Sequence, residues 1–179
     1  MSARGNPKHC DWQTLIAGTH GNVKQVMKKN LHNPADLTEI MTRLASVRPD
    51  STRQWGKMTP HQMLCHLGDS YLIAMGEREA KRRDNFLFRT VLKWVVLDTP
   101  LPWAKGFKTG PTADQEIGGT KPVEFERDRQ RLAEIIQRFT AAPRDFQFAP
   151  HPVFGVMNEA HWLRWGYLHA DHHFRQFGV

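Results

Sequence analysis

With 179 residues, 40% of them hydrophobic and 24% charged, the chain is sized for one soluble globular domain and has the apolar content for a real core. A net charge of +7 favours encounter with anionic partners, but Arg78, Lys81, Arg82 and Arg83 are interleaved with Glu77, Glu79 and Asp84 as on a solvated helix end. No basic stripe with stacking aromatics points to nucleic acid, and two cysteines, Cys10 and Cys65, exclude a disulfide scaffold.

Residues 1–33 carry Gly5, Pro7, Gly18 and Gly21 without sustained periodicity, so they are expected to be an extension, loosely structured or docked, ahead of a body over 34–179. They lack the apolar core of a secretory signal, and the apolar stretch from Phe86 to Leu101 is broken by Arg89, Lys93 and Asp98 and is too short for a membrane span. A cytoplasmic protein with no membrane partner is the expectation.

From Ala35, the residues Leu37, Ile40, Met41, Leu44 and Val47 recur at three- and four-residue steps, which predicts a helix closed by Pro49. Thr59, Pro60 and Gln62 form a capping-box start for a second helix running to about Glu79. Phe86 to Leu97 reads as a wide apolar helix, expected to be deeply buried and ended by Thr99, Pro100 and Pro102. The glycine- and proline-rich stretch 104–122 predicts a long loop, either a lid over a site or a crossover that wraps the body. Beyond it, Phe125, Leu132, Ile135, Ile136 and Phe139 form one helical stripe. A last helix capped by Asn158 carries Trp162, Trp165, Tyr167, His169, His173 and Phe177. No segment alternates as a strand does, so the class is all-α.

On that last helix His169 and His173 are four apart, about 40° around the axis and ~6 Å along it, so one cation can reach both. His66, midway along the second helix among Met63, Leu64, Leu67 and Tyr71, is the third candidate, because a core-facing imidazole needs a partner for its nitrogens. Three imidazoles without a fourth protein ligand leave a coordination position open, as catalytic sites do, and such a set suits zinc, nickel or iron. The plainer alternative is buried histidines bonded to carbonyl or carboxylate groups. His172 competes with His173 for the inward direction. Cys65 points about 100° away from His66 and is expected to pack rather than ligate. Asp69 and Asp171 are candidate general acids or bases, with support of a ligand ring or plain surface charge as the alternative. Tyr71 and Trp165 either line the pocket or belong to the core.

The segments Trp55 to Pro60, Met63 to Leu67, His151 to Gly155 and His169 to Gln176 resemble the DinB-like superfamily over roughly residues 35–179. That resemblance implies a four-helix bundle of DinB/YfiT-like type, with a long loop before the third main helix, binding a divalent metal through His66, His169 and His173. Gln176 matches the glutamine that closes the last-helix motif, while Phe174-Arg175 departs from the Arg-Gly of many members. It further implies a metal-dependent thiol transferase or hydrolase acting on a small molecule such as a low-molecular-weight thiol, and a homodimer. The alternative is a non-enzymatic, stress-related bundle with a structural or vestigial metal site.

Overall fold

A computed structural model of the chain describes residues 28–83 and 85–179. Five α-helices occur in it: α1 (Pro34–Ser46), α2 (Pro60–Ala74), α3 (Lys93–Asp98), α4 (Phe125–Thr140) and α5 (Glu159–Gln176). Among the described residues there is no strand, only an isolated bridge between His151 and Gly155. The protein is all-α.

Each long helix starts where its sequence says a backbone N–H can be satisfied. Asn33 caps α1, with Pro34 at its first position, and Asn158 caps α5. The α2 capping box is complete: the Thr59 hydroxyl accepts from the Gln62 N–H, and the Gln62 side chain accepts from the Thr59 N–H. Helix α4 departs from the usual cap residues, with the Glu124 carboxylate accepting from the Glu126 and Arg127 N–H groups.

Helix α2 packs against α4 and α5, and α1 against both α4 and α5. The shared interior holds Ile40 and Leu44 from α1, Met63, Leu67 and Tyr71 from α2, Leu132, Ile136 and Phe139 from α4, and Trp162, Ala170 and Phe174 from α5. Its tightest point is Gly166, whose carbonyl accepts from the Tyr71 hydroxyl at 2.8 Å. A Cβ there would stand 2.8 Å from Leu31 and 3.0 Å from the Phe139 ring, so only glycine allows α5 to come this close. Leu31, within the expected extension, is buried at this point and its N–H donates to the Leu163 carbonyl. Residues 1–27 of that extension lie outside the described residues.

Two expectations need correction. Helix α2 ends at Ala74 rather than near Glu79, because Gly76 takes a left-handed φ of 76° and turns the chain. The apolar segment after it is not deeply buried. It runs through a π-helical turn (Phe88–Leu92) into the short α3, and Phe86, Leu87, Val91 and Trp94 are all more than half exposed while Leu97 alone of α3 is buried. A run that is apolar on every side states what would profit from cover, not that cover exists. None of the described helices is long and apolar enough to cross a membrane.

Candidate metal centre

Helices α2 and α5 bring His66, His169 and His173 together, each less than a tenth exposed, with one ligand nitrogen from each lying within 4.8 Å of the others. The ring centroids of His66 are 5.1 Å from His169 and 4.7 Å from His173. Between the two adjacent candidates on α5, the inward position belongs to His173. His172 lies instead against Trp55 and Trp103.

The protonation of two rings follows from their partners. His66 Nδ1 is 2.8 Å from the Ala113 carbonyl oxygen, so it must carry the proton and donate it, which leaves the Nε2 lone pair free. His173 Nδ1 is 2.9 Å from Gln176 Oε1. The amide of Gln176 is itself oriented, because its Nε2 donates to the Trp55 carbonyl at 2.9 Å, so His173 also donates through Nδ1 and keeps Nε2 bare. Gly56 makes room for that amide: it has a φ of 78°, and a Cβ on it would lie 2.5 Å from Gln176 Nε2.

His169 is the odd member. Its Nε2 is 3.2 Å from His66 Nε2, and its buried Nδ1 has no hydrogen-bond partner. If the His169 proton sits on Nε2, Nδ1 is a stranded acceptor. If it sits on Nδ1, that atom is a stranded donor and two lone pairs face each other. A cation between the Nε2 atoms removes the second conflict, and a carbonyl or amide oxygen behind two of the three rings is the support that ligating histidines usually have. Burial pushes all three imidazoles below their ordinary pKa, and for His169 and His173 the neighbouring histidines add to it, so the rings are neutral as ligands must be.

The 104–122 stretch is a crossover clipped to α2. Asp69, one turn beyond His66 and almost wholly buried, accepts from the Thr120 N–H at 2.7 Å, the Thr120 hydroxyl at 2.6 Å and Gln115 Nε2 at 3.0 Å, and pairs with Arg78 at 3.1 Å. Arg78 also donates to the carbonyls of Thr112 and Gly118. The clipped segment contains Ala113, so Asp69 and Arg78 position the carbonyl that orients His66. Asp171 lies away from the three imidazoles, pairing with Arg43 at 2.8 Å and Arg175 at 2.9 Å to join α1 to α5.

Trp165 and Tyr71 are core residues, and the Trp165 ring also borders His169 at 4.9 Å. Trp103 also borders this site. Its indole N–H donates to the Val96 carbonyl, and its ring lies across His169, 5.7 Å between centroids and tilted by 30°. A proline-flanked tryptophan in a connector carries no periodicity that would single it out.

Cys65 turns from this centre toward α4. Burial, together with the Asp128 and Asp69 carboxylates, pushes its thiol up to about 12, so by itself it is not a nucleophile at neutral pH.

A family model described as protein of unknown function (DUF1569) matches residues 26–178. The chain belongs to that family. No DinB-like family matches, so membership of DUF1569 overturns the DinB-like resemblance. The motifs behind that resemblance, a helical histidine pair four residues apart plus a third on another helix, are what any helical imidazole site requires, and chemistry of that kind does not specify ancestry. Neither the curated proteins nor the solved structures yield a match to this DUF1569 chain.

Proposed function

We propose that this DUF1569 protein is a four-helix bundle that binds one divalent metal ion at His66, His169 and His173 through their Nε2 atoms. The supporting observation is the arrangement of donors: two rings oriented by oxygen acceptors so that Nε2 is bare, converging on a third ring whose nitrogens are otherwise frustrated. Zinc or nickel fits an all-imidazole set best, and iron(II) fits it as well. A cation held by three protein ligands supplies Lewis acidity to an oxygen or sulfur donor entering its open position.

From there the reading extends to a transferase or hydrolase acting on a small molecule, low-molecular-weight thiols included. An open hollow of about 320 Å³ beside Trp103, lined by Pro100, Leu101, Arg164, Asp171 and Arg175, has room for a small ligand, and Arg164 offers a guanidinium to an anionic one, Arg175 being paired with Asp171. The second reading is a non-enzymatic metal-binding bundle. It is favoured by the burial of the three rings and by the Trp103 ring lying across His169.

Metal analysis of the purified full chain tests the site. One equivalent should be lost in His66→Ala and in His173→Ala, with helical circular dichroism largely kept. Equal metal content in the parent and both variants would reject the centre. A conjugation assay with glutathione, bacillithiol and mycothiol as donors then separates the readings: turnover that depends on metal supports the enzyme, and inactivity with every donor supports the non-enzymatic bundle.

A further inference from the structure

Helix α2 carries a second group of metal-binding atoms on another side. His61 and Cys65 are one helical turn apart and so share a face, rotated by about 100° per residue from that of His66. Across from them, Asp128 stands in the first turns of α4. The Asp128 Oδ2 atom is 2.7 Å from His61 Nε2 and 3.8 Å from Cys65 Sγ, and the three ligand atoms all lie within 4.8 Å of one another. In a tetrahedral zinc site with bonds of ~2.0 to 2.3 Å, neighbouring ligand atoms are separated by about 3 to 4 Å, so side-chain adjustments of well under a rotamer change suffice.

We propose that His61, Cys65 and Asp128 form a second divalent-cation site, suited to zinc and separate from the three-histidine centre. One nitrogen, one sulfur and one oxygen donor match a borderline-soft ion, and carboxylate and thiolate together neutralise its two charges. Binding replaces the hydrogen bond between His61 and Asp128 with two metal bonds and releases the thiol proton to solvent. A void of about 10 Å³ adjoins Cys65, Asp128 and Thr120, roughly the room one water needs, and it offers the fourth position. Arg131 lines the same void; it offsets only in part the burial and carboxylates that hold the Cys65 thiol protonated, so the metal itself must displace that proton, and it places a cost on a cation nearby. The Val123 N–H, which donates to Asp128 Oδ2 at 3.0 Å, holds that oxygen at the junction of the crossover with α4. The site would therefore pin α2, α4 and the end of the crossover to one another, a structural role beside the centre on the opposite flank.

Cobalt(II) distinguishes the two centres, because only a thiolate ligand gives the intense near-ultraviolet sulfur-to-cobalt absorption. Titration of the full chain should produce that band, saturating at one equivalent above what the histidine centre takes. His173→Ala and Cys10→Ser should retain the band, and Cys65→Ser should abolish it. Asp128→Asn, at a residue less buried than Cys65 and so safer for folding, should lower zinc affinity at this site by ~10-fold or more. Absence of the band in the parent chain, its survival in Cys65→Ser, or its loss in Cys10→Ser would overturn the proposal. None of these results depends on whether His66, His169 and His173 bind metal.

Discussion

The two flanks of α2 solve the same problem, a histidine close to other titratable groups, by different means. On the α5 side, His66 meets the His169 and His173 rings and the neutral Ala113 carbonyl, and among the described residues no carboxylate hydrogen-bonds to the three rings. On the α4 side, one carboxylate oxygen of Asp128 receives His61, the Val123 N–H and the Cys65 thiol together. The first cluster leaves bare nitrogens and a stranded one, while the second is locally satisfied by charge. A carboxylate quiets a histidine. Where no carboxylate is bonded, as on the α5 side, one imidazole nitrogen stays without a partner, and the proposed metal centre rests on that feature.

The carboxylates of α2 and α4 offer the largest test of that contrast. Asp69→Ala breaks a buried ion pair and removes three hydrogen bonds, and since the Arg78 side chain is only a quarter exposed the loss should be ~3 kcal/mol in urea unfolding. Asp128→Ala in metal-free protein should cost about 1 kcal/mol, its partners being closer to solvent. Equal costs would mean that Asp69 does not hold the crossover.

Next in size is the effect of Gln176→Leu, which keeps the bulk but takes the acceptor from His173 Nδ1. Metal affinity at the α5 side should fall ~10- to 100-fold in a competition titration, while any Cys65-dependent cobalt absorption stays as it was. Gly56→Ala should shift affinity the same way by displacing the Gln176 amide.

Acid gives a third measurement. Burial holds His151 down to about 3, and its Nδ1 accepts from the Val153 and Phe154 N–H groups, so the folded protein keeps it neutral. Because the folded value is depressed, this contribution is intact above the ordinary histidine value and is lost as pH falls below about 6.5, where the unfolded chain takes up the proton. For one such histidine the loss is ~2 kcal/mol between pH 6.5 and 5. His151→Asn, which retains an acceptor but does not titrate, should flatten that slope for metal-free protein by close to one proton. The Asp128 carboxyl behaves differently. Burial raises it, but the Val123 N–H and His61 bonds outweigh that and hold it below the ordinary value, so its contribution fades only under about pH 4.

Local signals made α1, the start of α2, α4 and α5 legible, since Asn33, Thr59, Pro60 and Asn158 act within a turn of their own positions. The convergence of His66 with His169 and His173 was also within reach, because i, i+4 spacing sets two directions and burial of Met63, Leu64 and Leu67 sets the third. What stayed hidden depends on pairs far apart in the chain. Asp69 with Thr120, Ala113 with His66, and Trp103 over His169 join a helix to a connector without periodicity. Asp128 reads as an ordinary helix-start acid until α4 is laid against α2. Arg78 reads in the sequence as one of a basic cluster, yet its guanidinium threads between the Thr112 and Gly118 carbonyls. The exposed Phe86, Leu87 and Trp94 show the converse, where composition alone suggested burial.

Placing the acceptor for His66 on a connector, rather than on a helix, makes ring orientation severable from helical structure. A single backbone nick between Gly110 and Thr120 would leave every long helix and its circular dichroism in place while freeing the Ala113 carbonyl. The imidazole could then swap tautomers, and the chain would keep its shape while the proposed cation site lost the orientation of one of its three rings.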